Sequence, residues 1–319
     1  MNSPKINLII STYAGKYNSE NKENILKLNL QILNKLNPLI DKITIMKPKI
    51  NKCHEEIIGY YDITNINLDN IKNKIKIIEC ENIGISYGQF FTGIYNDLNF
   101  DYYILIEDDY VIFRKNFAEE FIEEFLKDEN DSLLCSFIYK YKLWDILEQQ
   151  ISYSNNINNT KILKEKLEYY NLINIKCNIP DFSLCILSKN TINKIINKFS
   201  LYQIIDIFNI NFDKIWLHQI LFGYIIYACD IKIYDIKKSH LNIFYETPIK
   251  DILLYNFENE YNIRNWNKIE YNNEKFKSPL FIPIQILNNN YFYNKLNDMK
   301  RYMIDENDFL ENYNRINFI

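Results

Sequence analysis

The first 140 residues alternate short apolar runs of strand length with segments that carry apolar residues at helical spacing, and no other feature limits the fold as much. Ile6–Ser11 (INLIIS) predicts a strand. Across 24–36, Ile25, Leu28, Ile32 and Leu36 recur on one helical face, and Pro38 closes the segment. Strands are expected at 42–46 and 74–79, a helix at 86–98, a strand at 102–106, a Glu-rich amphipathic helix at 117–126 and a strand at 133–139. Strands separated by helices imply right-handed crossovers and a largely parallel sheet. The expected class is α/β: a Rossmann-like, mostly parallel sheet flanked by helices, with a helical or irregular C-terminal extension. Ligands on such sheets bind beyond the C-terminal strand ends, where Ser11-Thr12-Tyr13 and Glu107-Asp108-Asp109 both fall.

Beyond residue 140 the pattern weakens. SYSNNINNTKILKEKLEYY (152–170) reads as a mobile insertion over the site or as a polar surface segment. Strand character returns at 182–187 and 231–235. The expected organisation is one domain over 1–246, with a ligand-binding half to about 130 and a second half from 131, and an extension over 247–319 that packs on it. Five of the six glycines lie in the first 93 residues, so tight backbone turns are concentrated early in the chain.

A net charge of −4, with Lys and Arg scattered, excludes the basic field that holds nucleic acid and the polybasic cluster that binds membranes. The longest apolar stretch, 215–231, contains His218, Gln219 and Asp230 and predicts a buried helix and strand, not a membrane span. The first apolar run is too short for a secretory signal. Six cysteines without CxxC spacing are expected to be reduced, mostly buried thiols in a cytoplasmic protein. The excess of Ile, Asn, Lys, Tyr and Phe follows AT-rich codons and points to a low-GC genome, such as that of a large DNA virus, whose protein would work in host cytoplasm.

DYYILIEDDYVIF (101–113) poses the chemical question, because three consecutive carboxylates at the end of an apolar strand repel one another. They mark either a solvated turn or a site for something positive. Carboxylates with incomplete coordination suit Mg²⁺ or Mn²⁺ shared with substrate phosphates. A Lewis acid there would stabilise the charge that develops when a nucleoside diphosphate departs.

Several segments resemble the nucleotide-sugar glycosyltransferases of the GT-A fold, especially the family 2-like group. LIISTY (8–13), ENIGISYGQFFTGI (81–94) and DYYILIEDDYVI (101–112) stand in family order and at family-like spacing; FDKIWLHQILFG (212–223) and KKSHLNIF (237–244) are looser matches. The resemblance implies a UDP-sugar donor, a glycan or glycoprotein acceptor and Mn²⁺ or Mg²⁺. It assigns Ser11, Thr12 and Tyr13 to the uracil and ribose, and gives Asn82, Gly84, Gly88 and Gln89 a close approach to the donor. Glu107-Asp108-Asp109 takes the DxD position, with Asp108 near the ribose or sugar and Asp109 and Glu107 on the metal. His240 is implied as a further metal ligand and Asp213 as the general base of an inverting reaction, with Asp206 and Asp181 as alternatives. Gln89 departs from the family, which often has Arg there; Arg114 and Lys115 could supply the missing charge.

Each residue also has a plain structural reading. Hydroxyls at strand ends cap turns, Asn and Gly make turns before helices, and an Asp at a helix start is a common cap. His218 is expected as a satisfied core histidine and His54 as a surface residue. A retaining transferase and an inactive sugar-nucleotide- or glycan-binding relative remain open. Nucleotidyl transfer is disfavoured by the lack of a glycine-rich basic loop after the first strand. Glycoside hydrolysis is disfavoured because its carboxylates stand about 5 Å or more apart across a bond.

Overall fold

A computed structural model describes residues 3–12, 19–49, 63–108, 110–112, 116–127, 131–141, 157–172, 177–210, 217–235 and 281–283. β1 (Ile6–Ser11) is buried along its whole length, as an apolar strand covered on both faces must be. β2 (Lys42–Pro48) pairs with it in parallel on one side, Asn7 opposite Lys42 through Ile10 opposite Ile45. β3 (Ile75–Cys80) pairs in parallel beyond β2. On the other side of β1, β4 (Tyr102–Glu107) pairs in parallel from Ile6–Tyr102 to Ser11–Glu107.

The sheet continues through β7 (Cys177–Ser188), β6 (Leu133–Tyr141) and β8 (Ile233–Asp235), giving the order β3-β2-β1-β4-β7-β6-β8. β7 runs antiparallel to both β4 and β6, while β8 is parallel to β6. The class is α/β with a mostly parallel sheet, as expected. The direction of β7 was not legible, because an apolar run carries no sign of its orientation. A second sheet pairs β5 (Tyr110–Ile112) antiparallel with β9 (Phe281–Pro283), so a strand from the C-terminal extension lies against the segment just beyond the acidic triplet.

Seven helices are described: α1 (Ser19–Leu36), α2 (Ile85–Asn96), α3 (Phe117–Phe125), α4 (Ile157–Tyr169), α5 (Lys189–Lys198), α6 (Leu201–Phe208) and α7 (Leu217–Ala228). The buried stripe of α1 is broader than its periodicity suggested, taking in Leu26, Asn29, Leu30 and Leu33 as well as Leu28 and Ile32. Asn37 ends this helix in the left-handed region, its amide donating to Leu33 O, and Pro38 follows. α5 and α6 were not picked out by periodicity, yet both carry start signals. Ser188 accepts from the Thr191 amide, and Ser200 and Gln203 form a reciprocal capping box.

The main core joins α2, α4, α5, α6 and α7 to one face of the sheet. Aromatic rings dominate it: Tyr87 and Phe222 have centroids 5.1 Å apart, and Phe91 and Phe222 meet edge-on at 5.7 Å. Cys80, Cys135, Cys185 and Cys229 are buried free thiols, and burial pushes Cys80 and Cys229 up to about 12. No described helix is long and apolar enough to cross a membrane.

Two glycines of α2 allow a simple test of this packing. A Cβ on Gly88 would lie 1.8 Å from the Ile83 carbonyl oxygen, whereas one on Gly93 would meet Met46 Sδ at 3.0 Å and Ile9 Cγ2 at 3.1 Å. Backbone cannot yield as a thioether can, so Gly88→Ala should cost about 3 kcal/mol or more and Gly93→Ala about 1 kcal/mol. Urea denaturation followed by far-UV circular dichroism measures both; equal losses would refute this view of the α2 packing.

Candidate functional site

The chain builds outward from β1 to β2 and β3, then returns through α2 to place β4 on the other side of β1. Strand order therefore reverses between β1 and β4, and the carboxyl ends of these two strands form the crevice where α/β sheets bind ligands. Ser11 stands opposite Glu107 there, and the Asp108 amide carries the ladder one step further by donating to Ser11 O at 3.0 Å. Ser11 and Thr12 are both buried.

Thr12 is held from three directions. Its amide donates to Gln89 Oε1 at 3.0 Å, its carbonyl accepts from Gln89 Nε2 at 3.1 Å, and its hydroxyl donates to Met46 O at 2.6 Å. Gln89 is only 1% exposed. Its amide is thus turned onto the Thr12 backbone, which accounts for the Gln that stands where the resembling family often has Arg. A buried guanidinium would need a counter-charge at this spot, and a neutral amide does not.

Within the acidic triplet Glu107 is the last residue of β4, and Asp108 stands in the turn that follows it. Glu107 shares the face of Leu105 and accepts a hydrogen bond from Ser86 Oγ at 2.5 Å. Ser86 lies in the first turn of α2, whose unpaired amides and positive dipole end favour a carboxylate. Asp108 is 1% exposed.

The entry to α2 is strained. Gly84 has φ +70° and the next residue, Ile85, has φ +53°, a conformation that a β-branched residue rarely adopts. Gly84 offers no side chain as a cap. The space beside its Cα is filled by Phe208, and that beside Gly88 by the Ile83 carbonyl. Both glycines therefore serve close packing within the protein. Asn82, two residues before Gly84, is 8% exposed and its Oδ1 accepts no hydrogen bond. An unmatched buried acceptor at a strand end fits a ligand with a hydrogen-bond donor.

Tyr13, Asp109, Asp213, His240, Arg114, Lys115 and His54 lie outside the described residues, as does the side chain of Asp181. Asp213 precedes the first residue of α7, Leu217, by four positions. Asp206 is engaged elsewhere: Lys166 Nζ donates to its Oδ1 at 2.9 Å and the Tyr170 hydroxyl to its Oδ2 at 3.0 Å, tying α4 to α6. His218 is a core histidine, as expected, with Nε2 3.3 Å from Ile210 O. Among the described residues no group of three or more His, Cys, Asp or Glu side chains could hold a metal ion. Glu107 and Asp108 are the acidic residues described at the crevice, and both offer hard oxygen donors.

Two residues of this region were not singled out from sequence. Ser86 looked like an ordinary helix-start residue. Asn29 stands on the buried stripe of α1, donating from Nδ2 to Tyr110 O at 2.7 Å and accepting at Oδ1 from the Ile112 amide at 2.9 Å. A polar residue in line with Leu26, Leu30 and Leu33 was the available signal.

No protein-family model and no curated protein matches the chain. Solved structures give loose likenesses. Glucosyl-3-phosphoglycerate synthase from Mycobacterium tuberculosis, in complex with Mn²⁺ and UDP-glucose, is 12% identical with a TM-score of 0.32, over 59% of this chain and 57% of that one. The galactosyltransferase LgtC, in complex with donor and acceptor sugar analogues, is 8% identical with a TM-score of 0.36, over 73% and 74%. The bifunctional glycosyltransferase WbbM in its apo form is 10% identical with a TM-score of 0.37, over 74% and 40%. The chain spans little more than half the length of the mycobacterial synthase structure.

The unmatched acceptor of Asn82 separates a ligand role from a packing role. Asn82→Leu should leave the free protein equally stable or more stable by about 1 kcal/mol, because it removes a buried atom that gains no hydrogen bond. If Asn82 meets the nucleotide that the sequence resemblance implies, UDP should bind the variant at least tenfold more weakly than the native protein, one good hydrogen bond being worth about 1.4 kcal/mol. Thermal unfolding and calorimetric titration read the two effects; a destabilised variant that binds UDP normally would assign Asn82 to packing.

Proposed function

We propose that this chain is a metal-dependent glycosyltransferase that moves a sugar from a UDP-sugar to a hydroxyl of a glycan or glycoprotein acceptor, with inversion. The observation that carries the reading is the pairing of Ser11 with Glu107 at the switch point of the sheet, where the acidic segment and the STY segment share one crevice. The resemblance of STY, N-x-G and the acidic triplet to GT-A enzymes supports it from sequence. The unmatched acceptor on Asn82, four residues before the Ser86 that bonds Glu107, supports a ligand that offers a hydrogen-bond donor, as a nucleotide does.

In this reading Ser11, Thr12 and Tyr13 receive the nucleoside, Asn82 accepts a hydrogen bond from it, and Asp108 faces the ribose or sugar. The donor set fits a hard divalent cation: Glu107 with Asp109, completed by His240, would hold Mn²⁺ or Mg²⁺. When bound, such an ion supplies Lewis-acid stabilisation to a departing diphosphate. Ser86 holds the Glu107 carboxylate in one orientation. Asp213 takes the proton of the acceptor hydroxyl as it attacks, which makes a poor nucleophile competent. Gln89 keeps the Thr12 backbone in register and carries no charge.

A thermal-shift panel of nucleotide sugars with and without Mn²⁺ tests donor and metal together. One UDP-sugar is expected to raise the unfolding temperature only when the metal is present, and no shift with any nucleotide sugar would sink the proposal. Binding without consumption of donor would mark the chain as an inactive binding relative. Asp109→Ala should abolish transfer while leaving the unfolding temperature near that of the native protein. Asp213→Asn should lower the transfer rate far more than UDP affinity, by about 10²-fold or more. Equal effects on both would remove Asp213 from the base role.

A further inference from the structure

We propose that Asn29 and Gln89 are a matched pair of positioning residues, neutral amide clamps that fix the backbone on both sides of the acidic strand end. A chain that leaves a sheet loses the ladder partner for its amide and carbonyl, and each such buried group must find another. A side-chain amide has a donor end and an acceptor end, so it can replace a neighbouring strand at one point. Gln89 does this for Thr12, the residue that follows β1, at 3.0 and 3.1 Å. Asn29 does it for β5, at 2.7 Å to Tyr110 O and 2.9 Å from the Ile112 amide.

The carbonyl of one residue and the amide two residues on share one edge of a strand. Asn29 therefore grips one edge of β5 while β9 pairs along the other. The two clamps come from opposite faces of the sheet, Gln89 from α2 and Asn29 from α1, and both are 1% exposed or less. Thr12 immediately precedes Tyr13, and Tyr110 immediately follows Asp109. The clamped residues thus bracket the segments proposed above to receive donor and metal, and the functional part of this inference rests on that reading. Neutral amides suit the task because they hold backbone without adding a charge that would compete with the carboxylates for a cation.

Asn29→Asp and Gln89→Glu test the pair with minimal change of shape, since each replaces the donating NH₂ by an oxygen that faces a carbonyl. Asn29→Ala and Gln89→Ala repeat the test without a new charge. Thr44→Val is the control, because it breaks another buried side-chain hydrogen bond, to Asn7 Oδ1 at 2.9 Å, away from the crevice. Amide hydrogen exchange of the full chain should accelerate roughly tenfold or more at Tyr110–Ile112 in the Asn29 variants and at Thr12 in the Gln89 variants. Neither segment should respond in Thr44→Val. Calorimetric titration with Mn²⁺ and UDP should show about tenfold weaker binding in the clamp variants at matched unfolding temperature. Unchanged exchange at both segments, or affinity that follows unfolding temperature alone across all variants, would overturn the proposal. A native protein that binds neither UDP nor Mn²⁺ would defeat the glycosyltransferase reading, and the exchange data would still decide whether the clamps hold these segments.

Discussion

The parallel pairing of β1 with β4 is the contact on which the rest of this structure depends. It joins the first strand of the chain to one that arrives after two outward strands and a return helix, so the crevice exists only because this long-range pairing closes. Its register is equally consequential. A slip of one residue would turn the fully buried faces of β1 and β4 over and carry Glu107 away from Ser11 and from the first turn of α2. The side chains that fix the register are ordinary aliphatic ones, Leu8, Ile9 and Ile10 against Ile104, Leu105 and Ile106, all completely buried. The core of the protein and the geometry of its crevice are therefore set by the same six residues.

Neutral groups hold both a carboxylate and the backbone around that crevice. Glu107 is met by a hydroxyl and a helix N-terminus. The groups that hold the surrounding backbone are carboxamides. The ion pairs Lys42–Asp97, Lys47–Glu79 and Lys166–Asp206 tie the flanks of the sheet and the outer helices together.

Much of this was legible in the sequence, for identifiable reasons. Ile6–Ser11 was read with the bounds it has, because a fully buried parallel strand is a continuous apolar run between polar residues. β2, β3, β4 and α2 were found to within two residues at each end for the same kind of reason. α5 and α6 were passed over because each is short, although both have a one-sided apolar face, Ile192 and Ile195 in α5 and Ile204, Ile207 and Phe208 in α6, and a serine cap. The direction of β7, and the meeting of β5 with β9, depend on contacts between distant segments that no local pattern encodes. At the site, the carboxylates and hydroxyls announced themselves by type. Asn29 did not, and Gln89 was marked only by its place in the resemblance, because what matters in both is which backbone group lies a few ångströms away.

Where local rules are broken is itself informative. Among the described non-glycine residues with positive φ, Asn37, Asn171 and Asp230 follow helices α1, α4 and α7 and are of the types that tolerate the left-handed region; Ile85 is the exception. Orphan polar atoms alone would not single out the crevice, since Asn7 Nδ2 and Ser132 Oγ are also unmatched in other parts of the fold. The coincidence is what counts. Within five residues, 82–86, the chain carries an unmatched buried acceptor, a strained β-branched residue, an uncapped helix start and a hydroxyl fixed on a strand-end carboxylate. Folding alone would favour relaxing each of these, and relaxed alternatives such as an Asn-type residue at position 85 or an apolar one at 82 are a single substitution away. Sequences that keep several local conflicts together usually do so where a ligand is meant to resolve them. Those conflicts meet at the junction of β3, α2 and β4, next to the strand end where the donor is proposed to bind.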